Sequence, residues 1–186
     1  MSAKMFSKTQ LALCQSNDSK SQRDLYTLFK GKVMGLCRRY SWCKEEAEDV
    51  FQETFIRVFK NIDQVHDAEH LEQWIKKIAV NTAVKHYHKN KRHQHDDLGG
   101  YCQPNEDYEL ILSQLSNAIL ISVINNLPDG YRMVFNLHEV EGYSHAEIAE
   151  LLCITEVTSR SQLNRAKQSL KNKLKAFGVL RYEKYA

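Results

Sequence analysis

Residues 144–175 read SHAEIAELLCITEVTSRSQLNRAKQSLKNKLK, and the organisation of the chain is legible from this run outward. Ser144 followed three residues later by Glu147 is a capping box: the hydroxyl accepts from the backbone N–H of Glu147, and the carboxylate reaches back to the N–H of Ser144. The pattern predicts a helix through Ile148, Ala149, Leu151 and Leu152. A short turn at Cys153-Ile154-Thr155 follows, then a second helix with Thr155 as its N-cap. That second helix places Leu163, Ala166, Leu170 and Leu174 at the three-and-four spacing of a buried stripe. Two helices joined by so tight a turn, with the small Ala149 in the first, form a helix-turn-helix unit.

The second helix is strongly basic. Arg160, Arg165, Lys167, Lys171, Lys173 and Lys175 give six cations, with no acid from Val157 to Lys175. Such a face attracts phosphate without regard to sequence. Its N-terminal half adds Thr158, Ser159, Ser161, Gln162 and Asn164, side chains that pair with base edges when the start of a helix lies in the major groove. A solvated basic face is the ordinary alternative for the charges alone, but the capping box and tight turn favour DNA.

Upstream of this unit, Ile111, Leu112, Leu115, Ile119, Val123, Ile124 and Leu127 form one helical stripe that stops at Pro128. A further helix is expected from about Asp129 to Val140, closed by Gly142. Before the stripe, HQHDDLGGYCQPNED at 93–107 combines a Gly-Gly pair, a Pro and four acids with few apolar residues, the composition of a flexible linker. A domain boundary is expected there.

The N-terminal half holds three amphipathic sets: Leu25, Leu28, Phe29, Leu36, Cys37 and Tyr40; Ala47, Val50, Phe51, Phe55, Val58 and Phe59; and Leu71, Trp74, Ile75, Ile78, Ala79 and Thr82. They predict a three-helix unit over roughly 20–93. From Gln73 to His95 there are Lys76, Lys77, Lys85, Lys89, Lys91 and Arg92 and no acid. Opposite the apolar stripe of this third helix lie Lys77, Asn81, Lys85 and His88, with Val80 and Val84 beside them, a mixture suited to bases as well as phosphates. Trp74 reads as core rather than as a stacking platform. The second helix is the reverse in charge: Lys44-Glu-Glu-Ala-Glu-Asp49 repels nucleic acid. On its outer face Asp49, Gln52, Glu53 and Ile56 surround an apolar anchor with polar acceptors, which resembles a protein interface.

The composition narrows the alternatives. The chain has 186 residues, 26 Lys+Arg against 23 Asp+Glu for a net charge of +3, 42% hydrophobic residues, and only seven Gly and two Pro. Multi-stranded sheets need more turn residues than that, so an all-α fold of two small helical domains joined by a flexible linker is expected. No stretch approaches the roughly 18–20 apolar residues of a membrane span. Met1 to Lys20 lacks the apolar region of a secretory signal, so a cytoplasmic protein with no membrane insertion of its own is expected. Cys14, Cys37, Cys43, Cys102 and Cys153 form no CxxC pair and read as reduced, mostly buried thiols. His86 and His88 cannot chelate one ion together, because residues two apart do not share a helix face, whereas His93 and His95 on a linker could; a solvated, weakly basic linker is the better account of the four. No phosphate-cradling glycine loop, HExxH or nucleophile elbow is present, so neither catalysis nor a cofactor is expected.

Taken together, these motifs resemble the extracytoplasmic-function (ECF) group of the sigma-70 family, the promoter-specificity subunits of bacterial RNA polymerase. Asp49-Val-Phe-Gln-Glu-Thr-Phe55 is similar to the family's region 2.2. The resemblance implies docking on the β′ clamp of core RNA polymerase through Asp49, Gln52 and Glu53, with Ile56 as apolar anchor, and a second hold on the β flap. Trp74-Ile-Lys-Lys-Ile-Ala-Val-Asn-Thr-Ala83 resembles regions 2.3 and 2.4, implying minus-ten recognition and melting by Lys77, Asn81 and Lys85, with Ile62 to His70 as a loop that captures a flipped base. Leu127-Pro-Asp-Gly-Tyr-Arg-Met-Val-Phe135, Glu147-Ile-Ala149 and Thr158-Ser-Arg-Ser-Gln-Leu-Asn-Arg-Ala166 resemble region 4. This implies that Thr158, Arg160, Ser161, Gln162, Asn164 and Arg165 read the minus-thirty-five element of promoter DNA. Val157 stands where many members have Gly, Ser159 where many have Val, and Cys153 replaces a frequent turn Gly.

The domain plan that results is a tail at 1–19, a region 2 domain at 20–93, a linker at 94–110, a region 4 helix-turn-helix domain at 111–178 and a tail at 179–186. The resemblance also implies an anti-sigma factor as partner. The competing account is a helix-turn-helix repressor or activator that acts without docking on polymerase.

Overall fold

The computed structural model describes residues 6–96 and 123–176, without the side chains of 92–96, 175 and 176. The chain divides between residues 100 and 101 into two compact units. Among the described residues every regular element is helical. The expected linker from 97 onward and the stripe from Ile111 to Ile119 lie outside the described residues.

In the first unit, α1 spans Lys8–Gln15, α2 Ser19–Tyr40, α3 Lys44–Lys60 and α4 Leu71–Asp96. Helix α1 falls within the segment expected as a tail. It opens with a capping box: the Gln10 N–H donates to the Ser7 hydroxyl at 3.1 Å, and the Ser7 N–H to the Gln10 side chain at 3.0 Å. Phe6 and Leu11, at the positions of a hydrophobic staple, are both buried, as is Cys14. Asn17, in the left-handed region at φ 63°, ends the segment, and the Asp18 carboxylate then caps α2 by accepting from the Ser21 N–H at 2.8 Å.

Helices α2, α3 and α4 pack on one another through the predicted stripes: Leu25, Phe29, Val33 and Leu36; Val50, Phe51, Phe55 and Val58; Leu71, Ile75 and Ala79. Trp74 is only half-buried, at the margin of this core. Val80 and Val84, expected beside the polar face of α4, are buried at 1% and 6% exposure. Helix α4 packs against both α2 and α3, so its apolar arc is wider than one stripe. The helix also continues to Asp96, past the expected end at 93. Loss of apolar periodicity after His88 marks the end of core contact, whereas the first residue that disfavours helix is Gly99.

Between α3 and α4 the chain makes two single 3₁₀ turns, Ile62–Gln64 and Ala68–His70. Ile62 and Val65 point inward and are buried. The Gln15 amide of α1 donates to the carbonyls of Ile62 at 3.2 Å and Val65 at 2.9 Å, so the N-terminal helix clamps this loop.

In the second unit, residues 123–125 end a helix, α5 spans Asp129–Phe135 with a wider i→i−5 turn over Asn136–Val140, α6 spans His145–Leu152 and α7 Glu156–Ala176. Val123, Ile124, Leu127, Ala166 and Leu170 form a buried cluster, with Tyr131, Phe135 and Leu174 packed against it. Arg132 is 2% exposed. Its guanidinium donates to Asp129 at 2.8 Å and to the Asn125 carbonyl at 3.1 Å, tying α5 to the helix before it. Gly142, at φ 83°, makes the left-handed step that ends α5 where the sequence predicts. Cys153 makes the same kind of step in the turn between α6 and α7 at φ 52°, a conformation that costs a non-glycine residue about 1 kcal/mol. It is exposed, contrary to the expectation for the thiols, while Cys14 and Cys37 are buried. Burial pushes the Cys37 thiol up to about 12, which makes it unreactive.

Candidate nucleic-acid and protein interfaces

Helix α3 turns Ala47, Val50, Phe51, Thr54, Phe55 and Val58 inward. Asp49, Gln52 and Ile56, at spacings of three and four, are thereby exposed on the opposite side, with Ile56 at 66%. Glu53, expected on the same face, is instead half-buried at the seam with α4. Its carboxylate accepts from Arg57 at 2.6 Å and Lys85 at 3.3 Å, and sits 2.7 Å from His86 Nε2. Burial raises the pKa of this carboxyl, but hydrogen bonds from His86, Arg57 and Lys85 prevail and hold it at about 2. Two residues singled out for different partners, Glu53 and Lys85, are therefore in direct contact.

This cluster gives a pH prediction with a definite sign. The folded pKa lies below the unfolded one, so the cluster's stabilisation is complete above about pH 4.5 and is lost as pH falls toward about 2. Because Glu53 is about a third exposed, Glu53→Gln is expected to cost only about 1 kcal/mol at pH 7. Urea denaturation of both proteins checks this: the gap between them narrows from pH 5 downward, and a gap independent of pH contradicts the role given to the cluster.

On α4, Lys77, Asn81 and Lys85 are exposed at spacings of four, one above another along the helix. Acidic Glu46 is used structurally: it accepts from the Trp42 backbone N–H at 2.6 Å and from the Asn90 amide at 2.7 Å.

In the second unit both predicted caps are present. Ser144 and Glu147 form the reciprocal box, and the Thr158 N–H donates to the Thr155 hydroxyl at 3.1 Å. Helix α7 buries Ser159, Leu163, Ala166 and Leu170 and exposes Arg160, Ser161, Asn164 and Arg165. Arg160 pairs with Glu156 at 3.0 Å, Arg165 donates to the Tyr131 hydroxyl at 3.3 Å, and the Ser161 hydroxyl donates to the Thr158 carbonyl at 2.9 Å. Thr158 and Gln162 are half-buried. The Gln162 amide lies over Gly130, where an added Cβ would stand 3.4 Å from its nitrogen.

Ser159 corrects the reading of the sequence. It is fully buried, and its hydroxyl lies 2.8 Å from His145 Nδ1, so it latches α7 to the start of α6 instead of facing bases. The His145 ring stacks on His138 at 4.5 Å; burial, followed by the neighbouring His138 and Arg160, holds its imidazole below the ordinary range. The partner is fourteen residues away, and no local pattern announces it. Ser159→Ala is expected to lower stability by about 1 kcal/mol, because it strands a half-buried ring nitrogen. Thermal denaturation reads this directly, and an unchanged midpoint contradicts the latch.

Comparison with known proteins places the chain in a family. Residues 25–93 match the family model for Sigma-70 region 2, and residues 117–170 match that for Sigma-70, region 4. The ECF RNA polymerase sigma-E factor of Haemophilus influenzae is 30% identical over 173 residues, covering 86% of this chain and 90% of that protein. The ECF RNA polymerase sigma factor SigW of Bacillus subtilis is 29% identical, covering 92% and 98%. Among solved structures, the sigma factor RpoE in complex with the anti-sigma factor NepR from Bartonella quintana shares the fold with a TM-score of 0.54 at 20% identity, over 82% of this chain and 96% of that one. CnrH in complex with the cytosolic domain of CnrY does so with a TM-score of 0.50 at 18% identity, over 90% and 96%. No helix among the described residues is long and apolar enough to cross a membrane. With both regions matched in order and whole relatives covered almost end to end, the chain belongs to the ECF group of the sigma-70 family, regulatory proteins of transcription initiation rather than enzymes.

Proposed function

We propose that this protein binds core RNA polymerase in the cytoplasm and directs it to promoters through two DNA-reading faces, one on each unit. The observation that carries the reading is the division of charge within the first unit. An exposed acidic face with an apolar anchor, Asp49, Gln52 and Ile56 on α3, and an exposed basic face, Lys77, Asn81 and Lys85 on α4, belong to one three-helix bundle. The acidic face repels DNA and suits a basic protein surface, the β′ clamp; the basic face suits melted minus-ten strand. The second unit grips minus-thirty-five duplex with Thr158, Arg160, Ser161, Gln162, Asn164 and Arg165, and rests on the β flap. The polymerase supplies the chemistry, and the chain needs no metal or cofactor.

The domain limits proposed for these roles are 20–93 and 111–178, joined by the linker at 94–110. Two weak readers on one chain add their affinities through effective concentration, and the tether restricts the spacing between the elements they read. An anti-sigma factor covering either docking or reading faces would hold the protein inactive. That partner is proposed from the family and from the sigma and anti-sigma complex that shares this fold.

Asn81 separates melting from docking. Asn81→Ala is expected to lower open-complex formation roughly tenfold, the discrimination of one good base contact, while leaving closed complexes within twofold. Permanganate reactivity of melted thymines measures the first, and gel retardation at low temperature the second. Equal loss of both would move Asn81 from reading bases to holding the fold.

A further inference from the structure

Val157 is 76% exposed, the most exposed large hydrophobic side chain among the described residues. It sits in the first turn of α7, where the Thr155 hydroxyl fixes the helix start. Helix propensity does not explain it, since a β-branched residue in that turn is unfavourable relative to a straight-chain one. The buried stripe of Ser159, Leu163, Ala166 and Leu170 defines the inner side of α7. Val157, Ser161 and Asn164, at spacings of four and three, fall on the side directly opposite. One apolar side chain thus stands at the N-terminal end of a face otherwise made of hydroxyl, amide and guanidinium groups. A valine has no donor or acceptor, so it reads none of the nitrogen or oxygen atoms of base edges. The apolar feature that the major groove offers is the 5-methyl group of thymine.

We propose that Val157 is a specificity-determining residue that packs against a thymine 5-methyl group in the upstream duplex. This rests on the reading that α7 enters the major groove of that element. The polar residues of the face then fix register, and Val157 adds a preference for thymine at one position on one strand. The Glu156 carboxylate beside it is engaged by Arg160 at 3.0 Å, which lessens repulsion of the DNA backbone at this edge.

Templates carrying the selected upstream element, with each thymine replaced in turn by deoxyuridine, isolate the methyl group because base pairing is retained. Binding is measured with the complete holoenzyme of core polymerase and this chain. Loss of one buried methyl predicts about fourfold weaker binding at a single position. Val157→Ala binds thymine and deoxyuridine templates equally at that position, and Val157→Thr, which keeps one methyl and the branched shape, lies between. Equal effects of deoxyuridine on wild type and Val157→Ala, no effect in either, or an element without thymine overturns the proposal. Arg160→Ala distinguishes the two levels. If it weakens promoter binding while deoxyuridine does nothing, only the role of Val157 falls; if it too has no effect, the reading of α7 falls with it.

Discussion

Asp49→Lys is expected to abolish transcription directed by this chain, by roughly a hundredfold or more, while leaving the protein folded. Asp49 is exposed in the second turn of α3, between Val50 and Phe51, which carry the buried contacts, and Ala47, which continues the inner stripe. Reversal of its charge leaves those contacts in place, and surface substitutions of this kind change stability by about 0.5 kcal/mol or less. Toward a basic docking surface the effect is of another order. Placing like charges against one another costs several kcal/mol, and each 1.4 kcal/mol is about tenfold in affinity. The comparison needs two measurements on one preparation: the thermal midpoint, expected unchanged, and binding to core polymerase, expected lost. Retained core binding would place the docking surface elsewhere than on Asp49, Gln52 and Ile56.

The second large effect is expected from Arg160→Ala. Its guanidinium is exposed and pairs with Glu156, one turn earlier, an ion pair worth about a few tenths of a kcal/mol. The folded state therefore loses little. A guanidinium that reads guanine through two hydrogen bonds contributes about 1–3 kcal/mol of discrimination, or roughly five- to 150-fold. Promoter-specific initiation should fall by that factor with core binding unchanged. Arg165→Ala is the informative contrast, because its guanidinium is partly engaged by the Tyr131 hydroxyl and its loss also loosens α7 from α5. An unchanged transcript yield for Arg160→Ala would remove it from the reading face.

How much of this was legible in the sequence depends on the range of the interaction that decides each feature. Ser144 with Glu147, Thr155, and Gly142 act within one turn of the chain, and each cap lies where local chemistry puts it. The periodic stripes of α2, α3 and α4 record a burial shared by many residues, so their existence and order were readable. The rest was set by partners distant in sequence. Helix α1 has eight residues, and its reasons for packing, buried Leu11 and Cys14 and the Gln15 clamp on residues 62 and 65, are tertiary. Val80 and Val84 are buried because α4 meets two neighbours at once. Glu53 faces Lys85 and His86 across more than thirty residues, and Ser159 looks like a base-reading hydroxyl until His145 is brought beside it. For Gln15, Glu53 and Ser159 a polar side chain serves the fold, and only the three-dimensional partner shows it.

The most direct test of the central claim is run-off transcription by purified bacterial core polymerase with this chain, on templates drawn from a random promoter library. The account predicts transcripts from templates sharing two elements at a restricted spacing, dependent on the chain and lost with Asp49→Lys. No transcript, with no binding of the chain to core polymerase, would contradict it and leave a helix-turn-helix regulator that works without docking as the better account.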